Sequence, residues 1–534
     1  MTRSLDEPHN TASSCNKPPL DRTLLEPSAE DARRFQAPWA IEEGAVQGIG
    51  LPAGEASEPA LELPAHPPAR TPAGRGLVPV LAFTGIAVAV MQTLLVPVVA
   101  DLPRLLDTTS SNAAWVITAT LLSSTVAAPV MGRLGDLFGK RRLILVSLWL
   151  MVLGSLISGF TSDLMPMVLG RAVQGLALGA VPLGISIVWD ELPPERRGSA
   201  IALMSSSIGV GGALAIPLAA LVAENLDWHA LFFGSAALGA LAIAAILGVV
   251  PESVQRTSGR FDVFGALGLS LGLVALLLPV SKGADWGWGS VATLSLFASA
   301  VVIFLLWGLF ELRVADPLLD LRTAARRQVL LTNLAAITVG LAFFAVTLVL
   351  PQLLQLPKST GYGLGLSMTV TGVCAASMGL AMMAAAPLAA RLSAARGPKV
   401  TLMTGLVLLA VAYLAGIGLL GAVWQIVLVA VLAGSGVGTA YAAMPSLILG
   451  AVDPSESGAA NGLNALMRAV GTSTSSAVVG VVLAGTAQRL GNTEVPTLDG
   501  FRTAFLIAAG AALLGLVIAA FLPRHTRSDA AVRS

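Results

Sequence analysis

One short segment gathers charge inside an otherwise apolar chain. Gly132 to Arg142, GRLGDLFGKRR, sets a single carboxylate, Asp136, among Arg133, Lys140, Arg141 and Arg142, with glycines at 132, 135 and 139. Glycines permit a tight turn, and a carboxylate between cations invites a charge network with neighbouring helix ends. A merely solvated basic loop would not need Asp136. Only Arg171 and Arg468 are ionisable well inside apolar runs. A charge there costs at least about 2.5 kcal/mol, so each is expected to face a bundle interior or a watery cavity, as a functional group or as a donor to neighbouring carbonyls. All 20 acidic residues after residue 76 fall in loops or at run ends. Any titrating carboxylate must come from these, with Asp101 the first candidate and Asp190, Glu191 and Asp227 behind it, each equally readable as a solvated helix end.

The elements that must position these groups are membrane spans. The chain is 55% hydrophobic and 12% charged, against about 25% charged in ordinary soluble domains. Apolar runs of 18 or more residues recur over residues 77–522, which excludes a water-soluble globular enzyme. Fourteen spans are expected, at 77–100, 114–131, 143–160, 165–187, 199–222, 229–249, 263–281, 291–310, 328–350, 363–388, 401–420, 425–448, 459–486 and 502–522. Residues 1–76 hold 11 of the 31 prolines and read as a disordered cytoplasmic leader. No apolar stretch follows a basic start, so no cleavable signal is expected. With the first span starting inside, loops on the cytoplasmic side hold 15 Lys/Arg and those outside hold five, among them Lys282. That bias satisfies the positive-inside rule and places both termini, including the tail 523–534, in the cytoplasm. Trp149 and Trp307 fall inside spans and read as packing residues.

The first and last thirds repeat. TLLVPVVADLP from Thr93 matches TLVLPQLLQLP from Thr347; GRLGDLFGKR at Gly132 aligns with ARLSAARGPK at Ala390; Gly175 and Gly179 align with Gly434 and Gly438; and Gly198 aligns with Gly458. Near-constant offsets of 254 to 260 make residues 77–249 and 328–522 two six-helix halves, with two further spans in 250–327. Such duplication is common in transporters whose halves rock about a midplane site.

Gly132, Asp136, Gly139, Lys140 and Arg141 resemble the signature loop between helices 2 and 3 of the major facilitator superfamily. Arg171, Gln174, Gly175 and Gly179 resemble its helix 4 motif. Gly209, Gly212 and Pro217 are similar to the glycine-and-proline motif of its antiporters. Fourteen spans, Phe261, Asp262 and Gly265, and the Trp286, Gly287 and Trp288 loop look like the fourteen-span drug:proton antiporter family. The resemblance implies a gating loop of Gly132, Arg133, Asp136, Gly139, Lys140 and Arg141, with Arg171 in proton coupling. Two departures stand out: Gln92 occupies the part of span 1 where that family usually has an acid, and the glycines expected around Pro217 are partly Ile216, Ala219 and Ala220.

By repeat geometry the central spans are 1, 4, 9 and 12, whose inward faces offer Gln92, Thr93, Gln174, Thr347, Gln352 and Tyr441 to a substrate, or to interhelical hydrogen bonds. With Met382, Met383 and Phe344 nearby and little fixed charge, the site suits bulky, largely apolar molecules. GLSLG at Gly268 fits a nucleophile motif, but it sits mid-span and reads better as a packing face. No phosphate-binding loop and no Cys/His metal cluster occurs, and nothing suggests a nucleic-acid partner. No cofactor is expected. The expectation is an all-helical inner-membrane protein exporting amphipathic drugs in exchange for protons; a facilitator or importer of a small metabolite, and a non-transporting membrane sensor, are the alternatives. A monomer carries both halves, with the oligomeric state left open.

Overall fold

The computed structural model describes residues 76–523 except 97, 100, 253–258 and 491–492. The expected leader and tail lie, but for Gly76 and Pro523, outside the described residues. Fourteen helices carry the fold: α1 (Leu77–Thr93), α2 (Trp115–Phe138), α3 (Lys140–Gly159), α4 (Leu164–Glu191), α5 (Pro194–Asn225), α6 (Ala230–Val249), α7 (Val263–Trp286), α8 (Val291–Glu311), α9 (Arg327–Gln355), α10 (Met368–Arg396), α11 (Pro398–Gly418), α12 (Val423–Leu449), α13 (Ser457–Gly485) and α14 (Leu498–Ala520). Thirteen are long and apolar enough to cross a membrane, and α1 adds a shorter apolar helix of 17 residues. Helices are the outcome because hydrocarbon offers the backbone no hydrogen-bond partner, so each span must satisfy its own amides. Several starts are capped: Asp262, Ser290, Ser367 and Thr497 accept N–H groups from the first turns of α7, α8, α10 and α14.

Two apolar cores result. One is built from α1–α6, with Leu449 added; the other draws on α9–α14 alone. α7 and α8 stand beside them: Ala266, Leu269 and Leu273 of α7 pack with Ala459 and Leu466 of α13, while α8 turns Val301, Leu305 and Leu306 outward, each at least 60% exposed. That surface is what a lipid-facing helix presents. Gly268 and Gly272 lie against Trp307 and Phe304 of α8, so the GLSLG stretch is a packing face. Trp307 packs as expected and donates to Gly265 O, but Trp149 is 60% exposed and faces outward.

Successive helices run between two ends. The end where α1 starts and α2 meets α3 is the basic end; the other is the far end. Four sequence expectations change. First, α1 stops at Thr93 rather than reaching residue 100, and turns follow; Val96 precedes a proline, whose ring disfavours helix in the residue before it. Its repeat mate α9 continues to Gln355. Second, Gly132 to Phe138 is not a loop but the last two turns of α2, and the break falls only at Gly139, whose φ of 108° favours glycine. Gly397, the aligned residue of the second half, makes the same break between α10 and α11 at φ 87°. Third, Lys282 lies inside α7, 1% exposed, between Asp285 and the ring of Trp115. Fourth, a hairpin, β1 (Ala487–Leu490) with β2 (Thr493–Pro496), joins α13 to α14, Ala487 pairing with Pro496. Tyr362 donates its phenol O–H to Pro496 O.

Candidate functional site

The signature residues of α2 meet the start of α13, 322 residues away. Asp136 is 1% exposed, and its Oδ1 and Oδ2 accept the N–H groups of Gly458 at 3.0 Å and Ala459 at 2.8 Å. These are amides of the first turn of α13, which have no partner within that helix and carry its positive dipole end. Asp136 is thus an N-cap supplied from the opposite half. Lys140, just past the Gly139 break and 1% exposed, donates to Asp190 Oδ2 and Ser457 Oγ, both at 2.5 Å, and stands 3.7 Å from Asp136 Oδ1. Ser186 donates to Ser457 O at 3.2 Å, and Asn461 Nδ2 to Pro182 O at 2.9 Å. Together these bonds latch α2, α3 and α4 to α13 at the basic end.

Glycine makes the approach possible. A Cβ on Gly132 would stand 2.4 Å from Gly458 O, and one on Gly458 would stand 2.6 Å from both Gly132 O and Asp136 Oδ1. Arg141 donates to Leu247 O of α6 at 2.9 Å, away from the latch. Arg133 is 6% exposed with no partner at Nε, and it lines a cavity of about 480 Å³ beside Glu456 and the 312–324 connection.

Arg171 is a second centre. Its guanidinium donates to Met91 O at 3.2 Å, Val116 O at 3.4 Å and Gln174 Oε1 at 2.8 Å. Gln174 Nε2 passes the chain on to Ser155 Oγ at 2.6 Å, and Ser155 to Ser235 at 3.2 Å. Both Arg171 and Gln174 are at most 1% exposed. So Gln174 sits sealed in a network tying α1, α2, α3, α4 and α6, not in an open cavity, and Arg171 faces carbonyls rather than a carboxylate. Gly175 precedes and Gly179 ends a 3-10 turn, Leu176–Gly179, within α4. They pack against Thr120, Ser123 and Met131 of α2, as Gly434 and Gly438 of α12 pack against Met378 and Met382 of α10.

The remaining expected residues separate. Asp101 is exposed, in a turn, 3.8 Å from Arg104. Asp227 is exposed too, and the His229 backbone N–H and ring hold its carboxyl below the usual carboxylate range. Gly209 and Pro217 lie at the α5–α10 contact, beside Met382 and Gly372; Gly212 has only Thr93 near it, at 3.9 Å. Met382 is therefore an interface residue. Gln92, Thr93 and Thr347 are part-exposed and Gln352 is exposed. Thr93 and Thr347 donate to Ala89 O and Phe343 O of their own helices. Tyr441 is 5% exposed, with the Arg468 guanidinium 4.7 Å above its ring and Phe343 6.1 Å away. Sequence reasoning missed Ser457, Gly458, Asn461 and Ser155. Gly458 alone carried a signal, as the repeat mate of Gly198.

The family model described as Major Facilitator Superfamily matches residues 81–362 and 332–533. The chain is 29% identical over 440 residues to the "Tetracenomycin C resistance and export protein" of Streptomyces glaucescens, covering 79% of this chain and 78% of that one. It is 24% identical over 387 residues to "Multidrug resistance protein 3" of Bacillus subtilis (strain 168), covering 70% and 72%. Among solved structures, the human organic anion transporter MFSD10 superposes with a TM-score of 0.58 at 17% identity, over 83% of this chain and 99% of that one. The proton:xylose symporter XylE superposes with a TM-score of 0.57 at 13% identity, over 84% and 96%.

Proposed function

The chain belongs to the Major Facilitator Superfamily, whose members are multi-pass membrane transporters, and from that premise we propose that it exports amphipathic drugs or antibiotics across the plasma membrane in exchange for protons. The two six-helix halves rock, and the basic end, with both termini, faces the cytoplasm.

The observation that carries this reading is the cap Asp136 gives to α13. A bond set made across the halves at one end is what an alternating-access carrier needs: intact, it holds the cytoplasmic side shut; parted, it frees four strongly polar groups to water. Part-exposure of Gln92, Thr93 and Thr347 supports a central cleft reached from the far side in this conformation. The drug-export names of the relatives support the substrate class.

A facilitator without proton exchange is the second reading, favoured by Gln92 in α1 and by an Arg171 that faces carbonyls. Vesicles holding the purified protein, a pH-sensitive dye and an imposed proton gradient separate the two. Substrate-triggered proton movement establishes exchange; substrate flux with a silent dye establishes the facilitator.

A further inference from the structure

Arg468 places a positive charge within the span of α13. On α13, Arg468 follows Asn461 by seven residues, two helical turns, so both lie on one face, and Asn461 reaches across to Pro182 O of α4. Arg468 is therefore on the side of α13 that looks toward the opposite half, above the latch. It is part-buried. Its guanidinium lies over the Tyr441 ring, which in turn meets Phe343, and among the described residues no carboxylate, carbonyl or hydroxyl accepts from it.

Arg171 offers the contrast. That guanidinium is shut in, at 1% exposure, and three of its five N–H donors are taken up by Met91, Val116 and Gln174. Arg468 has the opposite profile: a planar donor fork, 4.7 Å from the centre of an aromatic ring, that makes no hydrogen bond among the described residues. The acidic residues all lie toward helix ends or in connections, so no fixed negative charge offsets it in mid-span. An aqueous or ligand anion is the natural complement, because a guanidinium presents paired donors that match a carboxylate, and Tyr441 and Phe343 beside it supply apolar faces for a ring system.

We propose that Arg468 is an anion subsite of the central cleft, and that the amphipathic molecules this chain carries are aromatics bearing a carboxylate or phenolate, with cations excluded. The proposal rests on the transport reading and names its substrate class. It makes Tyr441 a positioning residue, which holds the guanidinium over its ring.

Fluorescein and rhodamine 123 share a xanthene scaffold and differ in charge, so they are the probes. Binding is read by fluorescence anisotropy on the detergent-purified full chain, and uptake in vesicles, for the wild type, Arg468→Gln and Arg468→Lys. The expected result is tighter binding of fluorescein than of rhodamine 123 by the wild type, a loss of tenfold or more in Arg468→Gln, and retention within about threefold in Arg468→Lys. Tighter binding of rhodamine 123 by the wild type overturns the proposal without any variant. So does fluorescein affinity that Arg468→Gln leaves unchanged. If binding follows the expected pattern but neither dye crosses the vesicle membrane, the anion subsite stands and the transport reading fails.

Discussion

Asp136 on α2 closes the first turn of α13 by accepting the amides of Gly458 and Ala459, so one carboxylate in the first half terminates a helix in the second. Removing its charge keeps an acceptor but loses the attraction to the dipole end, worth roughly 1 to 2 kcal/mol in partly buried geometry. Asp136→Asn is therefore expected to move the equilibrium toward the cytoplasm-open form by a factor of about 5 to 30. A thiol placed at Thr347 in a cysteine-free background reads this: labelling from the far side should slow in proportion. Unchanged labelling would deny the cap its role in holding that end shut.

Gly458→Ala and Gly132→Ala drive a methyl into backbone across the α2–α13 contact. Each should lower transport more than tenfold while the protein still reaches the membrane. Gly480→Ala, on α13 with nothing within 4 Å of the added carbon, is the matched control and should transport as the wild type does. Equal losses in all three would point to general damage to α13.

Arg171 is expected to act through packing. Two of its three acceptors lie on other helices, α1 and α2, and hydrogen bonds between helices in a membrane average about 0.6 kcal/mol each, so Arg171→Ala should cost roughly 1 kcal/mol. The measurement is the thermal midpoint in detergent beside substrate-driven proton release. Arg171→Lys should recover part of the midpoint and retain proton movement; a variant of normal stability with flux but no proton movement would return Arg171 to the coupling machinery.

Asp101 and Asp227 are expected to be bystanders. Asp101 makes an exposed pair, and such pairs contribute little. Asp227 has a depressed pKa, so whatever stability it adds is present above the ordinary carboxylate range and is lost only as pH falls through its lower folded value, far below neutrality. Asp101→Asn and Asp227→Asn should leave transport and its pH profile near neutrality unchanged. A shifted profile in either would identify a proton carrier.

Much of this was legible in the sequence, for physical reasons that also mark where legibility ended. Hydropathy finds spans because bilayer thickness fixes their length, and the repeat aligned the segments in which Gly139 and Gly397 make matching breaks. Spaced glycines misled: Gly132 and Gly135 read as part of a turn, yet they lie on a helix face in close contact with α13 and with Leu183. Asp136 was visible as a lone carboxylate among cations, but its partner lies 322 residues away and is backbone, which has no sequence signature. Arg171 was visible as a buried charge; whether it was free or hydrogen-bonded depended on carbonyls of α1 and α2 that no residue type reveals.

The central claim is that the two ends open alternately, with the Asp136 cap made in one state and parted in the other. Spin labels at Phe138 and Pro454 report the basic end, and labels at Val99 and Gln355 the far end, all on exposed positions. Pulsed distance measurements on the full chain, with and without substrate, test the claim directly. It predicts that the basic-end distance lengthens as the far-end distance shortens, and that Asp136→Asn produces the same paired change without substrate. Both distances fixed, or both moving in one direction, would contradict it.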